Sequence, residues 1–394
     1  MKRIRYLSYC SFCIWLLCTS CSNPLSINNT ITDRSARCQD YLRQITAKGL
    51  SPGIQYLVTN KDSTIFEAAA GQADVANKTS MTLDHVMGIF SVTKVFTAAA
   101  ILQLIDNKFI GLDDSLKQYL PDAPYHVTLR QILSHCSGIP DPVWGNGYIH
   151  WPEDDPSFNR IAQLGNIMSE NSSLLFAPRT NTCYSNLGYA ILGRVIEIVT
   201  MQRYEHYMNE NVLNKFTIDR TKMGFEHTDL SMQAKPYAKK SESIFTLELM
   251  MTERNGLKSE GDWYTFKKDW LFDQPAHGGM LADAPDLGAF LRDQLSSSSI
   301  LFSDSLKNIF YTSQAKATSN NFDDRGQEYS IGWSMSNISG FPVYSHDGGG
   351  MGYFAVIRLY PTAGIGTVYL VNLGKVNNDD NLEYMNNLDR QFLQ

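Results

Sequence analysis

The sequence has few of the features that mark nucleic-acid-binding, disulfide-rich or metal-binding proteins. Among 394 residues, 34 are Lys or Arg and 40 are Asp or Glu, and no basic cluster follows the first residues. A nucleic-acid partner therefore has no electrostatic support. Four of the 7 cysteines lie within the first 21 residues, and the other three are widely spaced, which gives neither a disulfide framework nor a metal pattern. Internal repeats and low-complexity tracts are also absent, which leaves a globular chain large enough to bury an extensive core.

The first 21 residues have the layout of a secretory signal. Lys2, Arg3 and Arg5 precede an apolar segment over 6–17, which is too short to span a membrane as a helix. Cys21 follows small residues and resembles the lipidation site of bacterial lipoproteins, and the alternative is a plain cleaved signal peptide. We expect an exported protein, either periplasmic or anchored to the outer membrane as a lipoprotein, with a membrane contact only through that anchor.

The hydrophobic pattern predicts strands at both ends of the chain and helices in the middle. After the signal, residues 22–50 form an N-terminal helix (32–48) and a linker, and residues 51–394 form one domain. The economical packing is an antiparallel sheet from 51–75 and 325–394, flanked by helices, with an inserted helical subdomain over about 110–290. This is an α/β (α+β) architecture. The predicted strands are 54–59, 64–70, 329–334, 343–346, 353–360 and 366–372, and the longer predicted helices are 187–199, 283–295 and 378–394.

Ser91 and Lys94 begin an almost unbroken apolar run that is typical of a buried helix. Residues three apart share a helix face, so the two side chains would lie side by side at the helix N-terminus. A buried lysine can act as the base that a serine nucleophile needs. The ordinary alternative is a serine that caps a helix, and Ser313 with Lys316 repeats the spacing without an apolar helix behind it.

Two other segments carry side chains suited to the same chemistry. Tyr184 and Asn186 lie on a loop before a helix, where a phenol can relay a proton and an amide can hold a substrate carbonyl. His346 is followed by Asp347 and three glycines, and it is predicted to follow a strand and to precede another. These glycines would admit a substrate backbone and leave a backbone N–H as an oxyanion donor, although a simple turn has the same composition. His277 also precedes glycine, but it leads into a helix, which favours His346.

In order and spacing, these three segments resemble the motifs of class C β-lactamases and penicillin-binding-protein-like serine hydrolases. The resemblance covers about residues 51–372. It includes connecting segments that look like those of the family, at 133–140, 184–193, 278–281 and 329–333.

The resemblance implies a β-lactamase/transpeptidase-like fold with a cleft between the sheet and the helical subdomain. Ser91 would form an acyl-enzyme, and Lys94 and Tyr184 would move the proton. Asn186, His346 and Gly348 would bind substrate, and the N–H groups of Ser91 and Gly349 would form the oxyanion hole. No metal or organic cofactor is implied.

The chain departs from the lactam-hydrolysing members at two positions. Those members usually have lysine where this chain has His346 and a hydroxyl residue where it has Asp347. A histidine is mostly neutral near pH 7, and Asp347 would repel a substrate carboxylate unless it faces away from the cleft. A third departure is Arg179, where the family tends to have glycine, and it is expected only to change a turn.

We therefore expect a small-molecule or peptide substrate, and an esterase, D-peptidase or D-aminopeptidase rather than an efficient β-lactamase. A β-lactamase or DD-carboxypeptidase is the alternative within the family. From another class, a sensor that binds penicillin or cell-wall fragments without turnover shares Ser91 and Lys94, and a structural envelope lipoprotein is a third hypothesis. An α/β-hydrolase is disfavoured because the sequence contains no Gly-x-Ser-x-Gly.

Overall fold

The computed structural model describes most of the chain after the first two dozen residues. The predicted signal segment and Cys21 lie outside the described residues. Among the described helices, none is both long and apolar enough to cross a membrane. The described residues are 25, 27, 33–142, 149–150, 158–216, 223–225, 230–240, 258–266, 271–272, 274–316, 318, 328–374 and 378–393.

Strands from the two ends of the chain form one antiparallel sheet, as the hydrophobic pattern predicts. Nine described strands lie in the order β11-β12-β13-β14-β15-β16-β1-β2-β3, and Ile54 of β1 pairs with Val371 of β16. The strands are β1 Gly53–Thr59, β2 Thr64–Asp74, β3 Thr79–Ser80, β4 Met87–Gly88, β5 Ile149–His150, β6 Tyr237–Lys239, β7 Lys258–Glu260, β8 Trp263–Thr265, β9 Leu271–Phe272, β10 Leu281–Ala282, β11 Ala315–Lys316, β12 Glu328–Tyr329, β13 Ser334–Ile338, β14 Phe341–Gly350, β15 Tyr353–Tyr360 and β16 Ile365–Val371.

Helices cover both faces of this sheet, which is why its central strands are buried throughout. Alternate residues of a strand point to opposite faces, so Leu57 joins the core under the central helices while Tyr56 joins the core under the terminal helices. The helices are α1 Arg34–Ala47, α2 Thr93–Asp106, α3 Leu129–Leu133, α4 Arg160–Glu170, α5 Asn186–Thr200, α6 Tyr204–Asn211, α7 Ala284–Leu295, α8 Asp304–Tyr311 and α9 Asn378–Asp389.

The terminal helices pack together on the outer face of the sheet. Asp33 caps α1 by accepting from the backbone N–H of Ser35 at 3.0 Å, within two residues of the predicted start. Asn387 of α9 donates to the hydroxyl of Tyr41 on α1 at 2.9 Å. The prediction of a final helix is confirmed, but α9 ends at Asp389 rather than at the last residue.

Besides β2, which continues to Asp74 instead of ending at Ala70, two strand predictions were wrong in their bounds. Of the predicted strand over 329–334, residues 330–333 form a turn between β12 and β13, because Gly332 has a φ of +79° and packs against α2. A Cβ at Gly332 would lie 2.7 Å from the Cβ of Ala98. The other strand, predicted to end at His346, continues as β14 to Gly350 because β15 pairs with it over that whole length.

The middle of the chain contains more strand than its turn-rich sequence predicted. Several short strands lie there, from β5 to β10, and β10 pairs with β4 beside the start of α2. Segments of two or three residues are too short to show an alternating pattern, so the sequence could not predict them. The helices at 187–199 and 283–295 are confirmed as α5 and α7, each within one residue of its predicted bounds.

Candidate active site

Ser91 lies in a single 3-10 turn, Phe90–Val92, directly before α2. Phe90 has a φ of +46°, a left-handed conformation that is costly for an aromatic residue. The turn lies against β14, where a Cβ at Gly348 would be 2.2 Å from the carbonyl oxygen of Ile89 and 2.6 Å from the nitrogen of Ser91. The close approach of strand and turn therefore requires glycine at position 348.

Lys94 follows in the first turn of α2 and is completely buried. Its Nζ lies 3.1 Å from the Oγ of Ser91, 2.7 Å from the Oδ1 of Asn186 and 2.6 Å from the carbonyl oxygen of His277. The rings of Tyr184 and Tyr189 lie 4.8 and 5.7 Å from Nζ, measured to the ring centroids. The amine thus lies within hydrogen-bonding distance of three oxygen atoms and close to two aromatic rings.

These three oxygens differ in what they can do. The amide oxygen of Asn186 and the backbone oxygen of His277 only accept hydrogen bonds, whereas the hydroxyl of Ser91 can accept or donate. A neutral lysine has two N–H groups and one lone pair. With both N–H groups donated to the two pure acceptors, the lone pair faces Ser91, which is the arrangement that a general base requires.

Tyr184 and Asn186 are held at the start of α5. Ser185 caps this helix, because its Oγ accepts from the N–H of Gly188 at 3.0 Å and donates to the carbonyl of Pro140 at 3.1 Å. Asn186 is the first residue of α5, so the cap fixes the point from which its side chain reaches Lys94.

Residues of the 133–140 segment, and Asp141 directly after it, contact the Tyr184–Asn186 loop and hold it in place. The ring of His135 packs on that of Tyr184 with centroids 4.5 Å apart, and its Nδ1 accepts from the N–H of Ser185 at 3.2 Å. Asp141 accepts from the backbone N–H of Asn186 at 2.8 Å and from its Nδ2 at 3.0 Å. The connecting motif is therefore the support of the Tyr184–Asn186 loop.

His346 lies on β14 and is only 5% exposed. Its ring centroid is 6.2 Å from that of Tyr184, so the strand and the loop face each other across one site. The Nδ1 of His346 lies 2.8 Å from the carbonyl oxygen of Asp347, and a carbonyl only accepts, so Nδ1 carries the proton. In the neutral ring, Nε2 is then the acceptor.

The residues after His346 alternate along β14. Gly348 points at the Ser91 turn, so Asp347 and Gly349 lie on the opposite face of the strand. This favours the alternative in which Asp347 points away from Ser91. Gly349 pairs with Phe354 of β15, and its N–H as an oxyanion donor stays a prediction.

Burial shifts the pKa values of two titratable groups near Lys94, His277 and Asp141. Burial, and then the charge of Lys94, lower the pKa of His277 well below its ordinary value, so its ring is neutral. Burial raises the pKa of Asp141, although the hydrogen bonds from Asn186 and the charge of Lys94 oppose that shift. No cluster of three or more His, Cys, Asp or Glu suited to a metal ion occurs among the residues that the structure describes.

Sequence reasoning missed two parts of this site. It set His277 aside because of its place before a helix, yet the backbone oxygen of His277, at the end of a 3-10 turn, is a partner of Lys94. Every residue has a backbone oxygen, so the sequence does not show which of these oxygens will contact Lys94. The motif identified from the sequence ends at residue 140, one residue before Asp141. The position of Asp141 next to that motif is the only signal in the sequence that could have pointed to this residue. Arg179 has a φ of +70°, which explains the glycine that the family tends to have there.

Comparison with known proteins identifies the family of the chain. The family model described as "Beta-lactamase" matches residues 38–391. Penicillin-binding protein 4* of Bacillus subtilis (strain 168) is 24% identical over 324 residues, which are 78% of this chain and 65% of that relative. The chain thus spans just under two thirds of the length of this relative.

Solved structures share the fold at low sequence identity. D-amino acid amidase from Ochrobactrum anthropi SV3, complexed with L-phenylalanine amide, has a TM-score of 0.75 and 18% identity over 91% of this chain and 98% of its own. EstCE1, described as a hydrolase with promiscuous acyltransferase activity, has a TM-score of 0.71 and 18% identity over 92% of this chain and 99% of its own. Since the family model covers nearly the whole chain, the protein belongs to the beta-lactamase family of serine hydrolases.

Proposed function

We propose that the protein hydrolyses esters or amides of small molecules or peptides through an acyl-enzyme on Ser91. The observation that carries the proposal is the position of Lys94, buried with two pure acceptors and with Ser91 as its third partner. The arrangement suits a serine that loses its proton as it attacks.

In the first step, the Oγ of Ser91 attacks the substrate carbonyl carbon and its proton passes to the Nζ of Lys94. The negative charge moves to the carbonyl oxygen, which the N–H groups of Ser91 and Gly349 would hold. The proton then reaches the leaving group by way of Tyr184, whose ring lies beside Nζ. The bond to the leaving group breaks, and an ester to Ser91 remains.

In the second step, water attacks this ester and gives its proton to the same groups. The carbon–Oγ bond breaks, Ser91 regains its proton, and the acid is released. The amide of Asn186 and the ring of His346 are the groups we propose to hold the substrate.

The substrate class follows from the charge at the site. His346 replaces the fixed positive charge that a lactam carboxylate would need, so we propose simple esters and D-amino-acid amides or peptides as the better substrates. The similar fold of a D-amino acid amidase supports this choice. A β-lactamase or DD-carboxypeptidase activity is the second candidate, supported by the name of the Bacillus subtilis relative.

Labelling with a fluorophosphonate probe tests the proposed nucleophile and base. We expect the wild type to be labelled on Ser91, and Ser91→Ala or Lys94→Ala to lose about 100-fold or more in rate. The matched control is Ser313→Ala, which removes the other serine with a lysine three residues later, an exposed pair. Labelling that survives in Ser91→Ala, or that is lost in Ser313→Ala, would contradict the assignment.

A substrate panel then separates the candidates. We expect a p-nitrophenyl ester or a D-amino-acid amide to be turned over faster than nitrocefin, with a D-alanyl-D-alanine peptide as the test of a peptidase. Faster turnover of nitrocefin would overturn the ranking. A mass adduct that persists on Ser91 after penicillin, without turnover of any substrate, would instead identify a sensor.

We also propose that the protein is exported and lipid-anchored through Cys21. The support is the sequence of the first 21 residues, with three basic residues before an apolar segment. Metabolic labelling with a palmitate analogue should mark the wild type and not Cys21→Ser, with Cys38→Ser as the control. Equal labelling of Cys21→Ser would contradict the anchor.

A further inference from the structure

The side-chain amide of Asn186 lies between two groups with opposite requirements. On one side, its Oδ1 faces the Nζ of Lys94 at 2.7 Å. On the other side, its Nδ2 donates to the Oδ2 of Asp141 at 3.0 Å, and the Oδ1 of Asp141 accepts the backbone N–H of Asn186 at 2.8 Å. An ionised carboxylate can only accept, so it requires the nitrogen end of the amide.

We propose that Asp141 is a positioning residue that fixes the orientation of the Asn186 amide and thereby directs the lone pair of Lys94 at Ser91. The proposal rests on the function proposed above, in which Lys94 takes the proton of Ser91. Asp141 itself touches neither Ser91 nor Lys94 through a hydrogen bond described in the structure; it acts through Asn186.

The orientation matters because the two ends of an amide are not equivalent. With Oδ1 toward Lys94, the amine donates one N–H to the amide oxygen of Asn186 and the other to the backbone oxygen of His277. The lone pair of the amine then faces Ser91. With the amide reversed, Nδ2 would donate to the amine and occupy that same lone pair. The base would then be intact and buried but turned away from its nucleophile.

Asp141 also sets the charge near the base. The titratable groups that face Lys94 within the described residues are Ser91 on its own turn, Tyr184 and Tyr189 from the α5 side, and His277 from the opposite side; His346 lies beyond Tyr184. Asp141 is a carboxylate whose charge interacts with Lys94. Removing it favours the neutral amine.

The test is the pH dependence of ester hydrolysis and of fluorophosphonate labelling in Asp141→Asn and Asp141→Glu. Asp141→Asn is nearly the same shape but brings a donor to Asn186, so it permits the reversed amide. We expect the maximal kcat of this variant to fall about tenfold or more. We also expect the acid limb of its pH–kcat profile to move to lower pH by about one pH unit, because a negative charge near the base is lost. Asp141→Glu should restore the acid limb toward that of the wild type and recover part of kcat.

Asp113→Asn is the matched control. This exposed aspartate pairs with Arg130 on α3, and its loss should leave kcat and the pH profile unchanged. The unfolding midpoint of each variant is measured alongside.

The outcomes separate the two proposals. If the wild type is labelled and active but Asp141→Asn matches it in kcat and acid limb, the positioning role is overturned and the hydrolase stands. If kcat falls with an unchanged acid limb and a lowered unfolding midpoint, Asp141 is only a structural residue and the proposal also fails. If the wild type itself shows neither labelling nor turnover, both proposals fall together.

Discussion

At the scale of single residues, the tightest constraint on the site is the lack of a side chain at position 348. A Cβ there would lie 2.2 Å from the carbonyl oxygen of Ile89 and 2.6 Å from the nitrogen of Ser91, and both are backbone atoms that cannot rotate away. Gly348→Ala should therefore push β14 away from the Ser91 turn. We expect a fall in kcat of about 10- to 100-fold, because small misplacements of a nucleophile are costly.

The control for this variant is another glycine-to-alanine change. Gly165 lies inside α4 with nothing within 4 Å of its Cβ position, so Gly165→Ala should keep full activity and slightly stabilise the helix. Full activity of Gly348→Ala, measured with the same ester, would show that the strand is not held against the turn as described.

The sequence could predict Ser91 and Lys94 as neighbours because the helix period alone brings residues three apart together. It could not predict that the backbone oxygen of His277 would join them, since that contact spans 183 positions and involves no side chain. Asp141 was missed for a related reason. Its partner Asn186 is 45 positions away, and no spacing rule links a loop to the start of a distant helix.

At the scale of secondary-structure elements, α9 is attached to the sheet by a buried ion pair. Arg358 on β15 donates to the Oδ2 of Asp389 at 2.8 Å, and the hydroxyls of Tyr56 and Tyr360 donate to the same carboxylate. Asp389 is completely buried and Arg358 is 3% exposed. Asp389→Ala would leave a buried guanidinium without its counter-charge, so we expect a loss of about 3 kcal/mol or more in the free energy of unfolding, measured by urea denaturation.

An exposed pair provides the comparison. Lys61 and Asp62 lie in the turn between β1 and β2 and are 62% and 69% exposed, so Asp62→Ala should not change the urea midpoint measurably. Equal effects of the two variants would mean that α9 contributes little to the stability of the sheet.

The elements that the sequence predicted well are those whose own residues specify them. The helix α7 begins after Asp283, whose side chain accepts from the N–H of Asp286 at 2.9 Å, and this cap could be read directly from the sequence. The turn at 330–333 could not be predicted from the sequence. Its Gly332 is required because the turn packs against α2, an element more than 200 positions earlier in the chain. Likewise, the glycines of β14 are typical of a turn and become a strand only through pairing with β15.

At the scale of the whole molecule, the pattern of strands at both ends and helices in the middle predicted one antiparallel sheet from both termini, but it did not predict the order of the strands. The stability of the assembled fold should depend on pH through His277, which is buried beside Lys94. Its pKa in the folded protein is well below its ordinary value, so the unfolded chain binds a proton that the folded chain does not. The free energy of unfolding should be constant above a pH of about 6.5 and fall below it.

Urea denaturation between about pH 7.5 and 5.5 checks this, because carboxylates titrate mainly below that range. His277→Asn, which keeps the backbone oxygen that Lys94 uses, should flatten the decline. The exposed His126 serves as the control, and His126→Asn should leave the decline of the unfolding free energy with pH unchanged. A decline of equal size in His277→Asn would assign the pH dependence to another group.

The place of β1 in the sheet has a consequence for biosynthesis. Because β1 is held between β2 and β16, its partner strand is made more than 300 residues after it. A nascent chain cannot close the sheet until Ile365–Val371 has left the ribosome. Products that terminate earlier would expose the edge of a strongly apolar strand, which favours aggregation, so premature termination or loss of the last strand should yield insoluble protein and no partly active fragment.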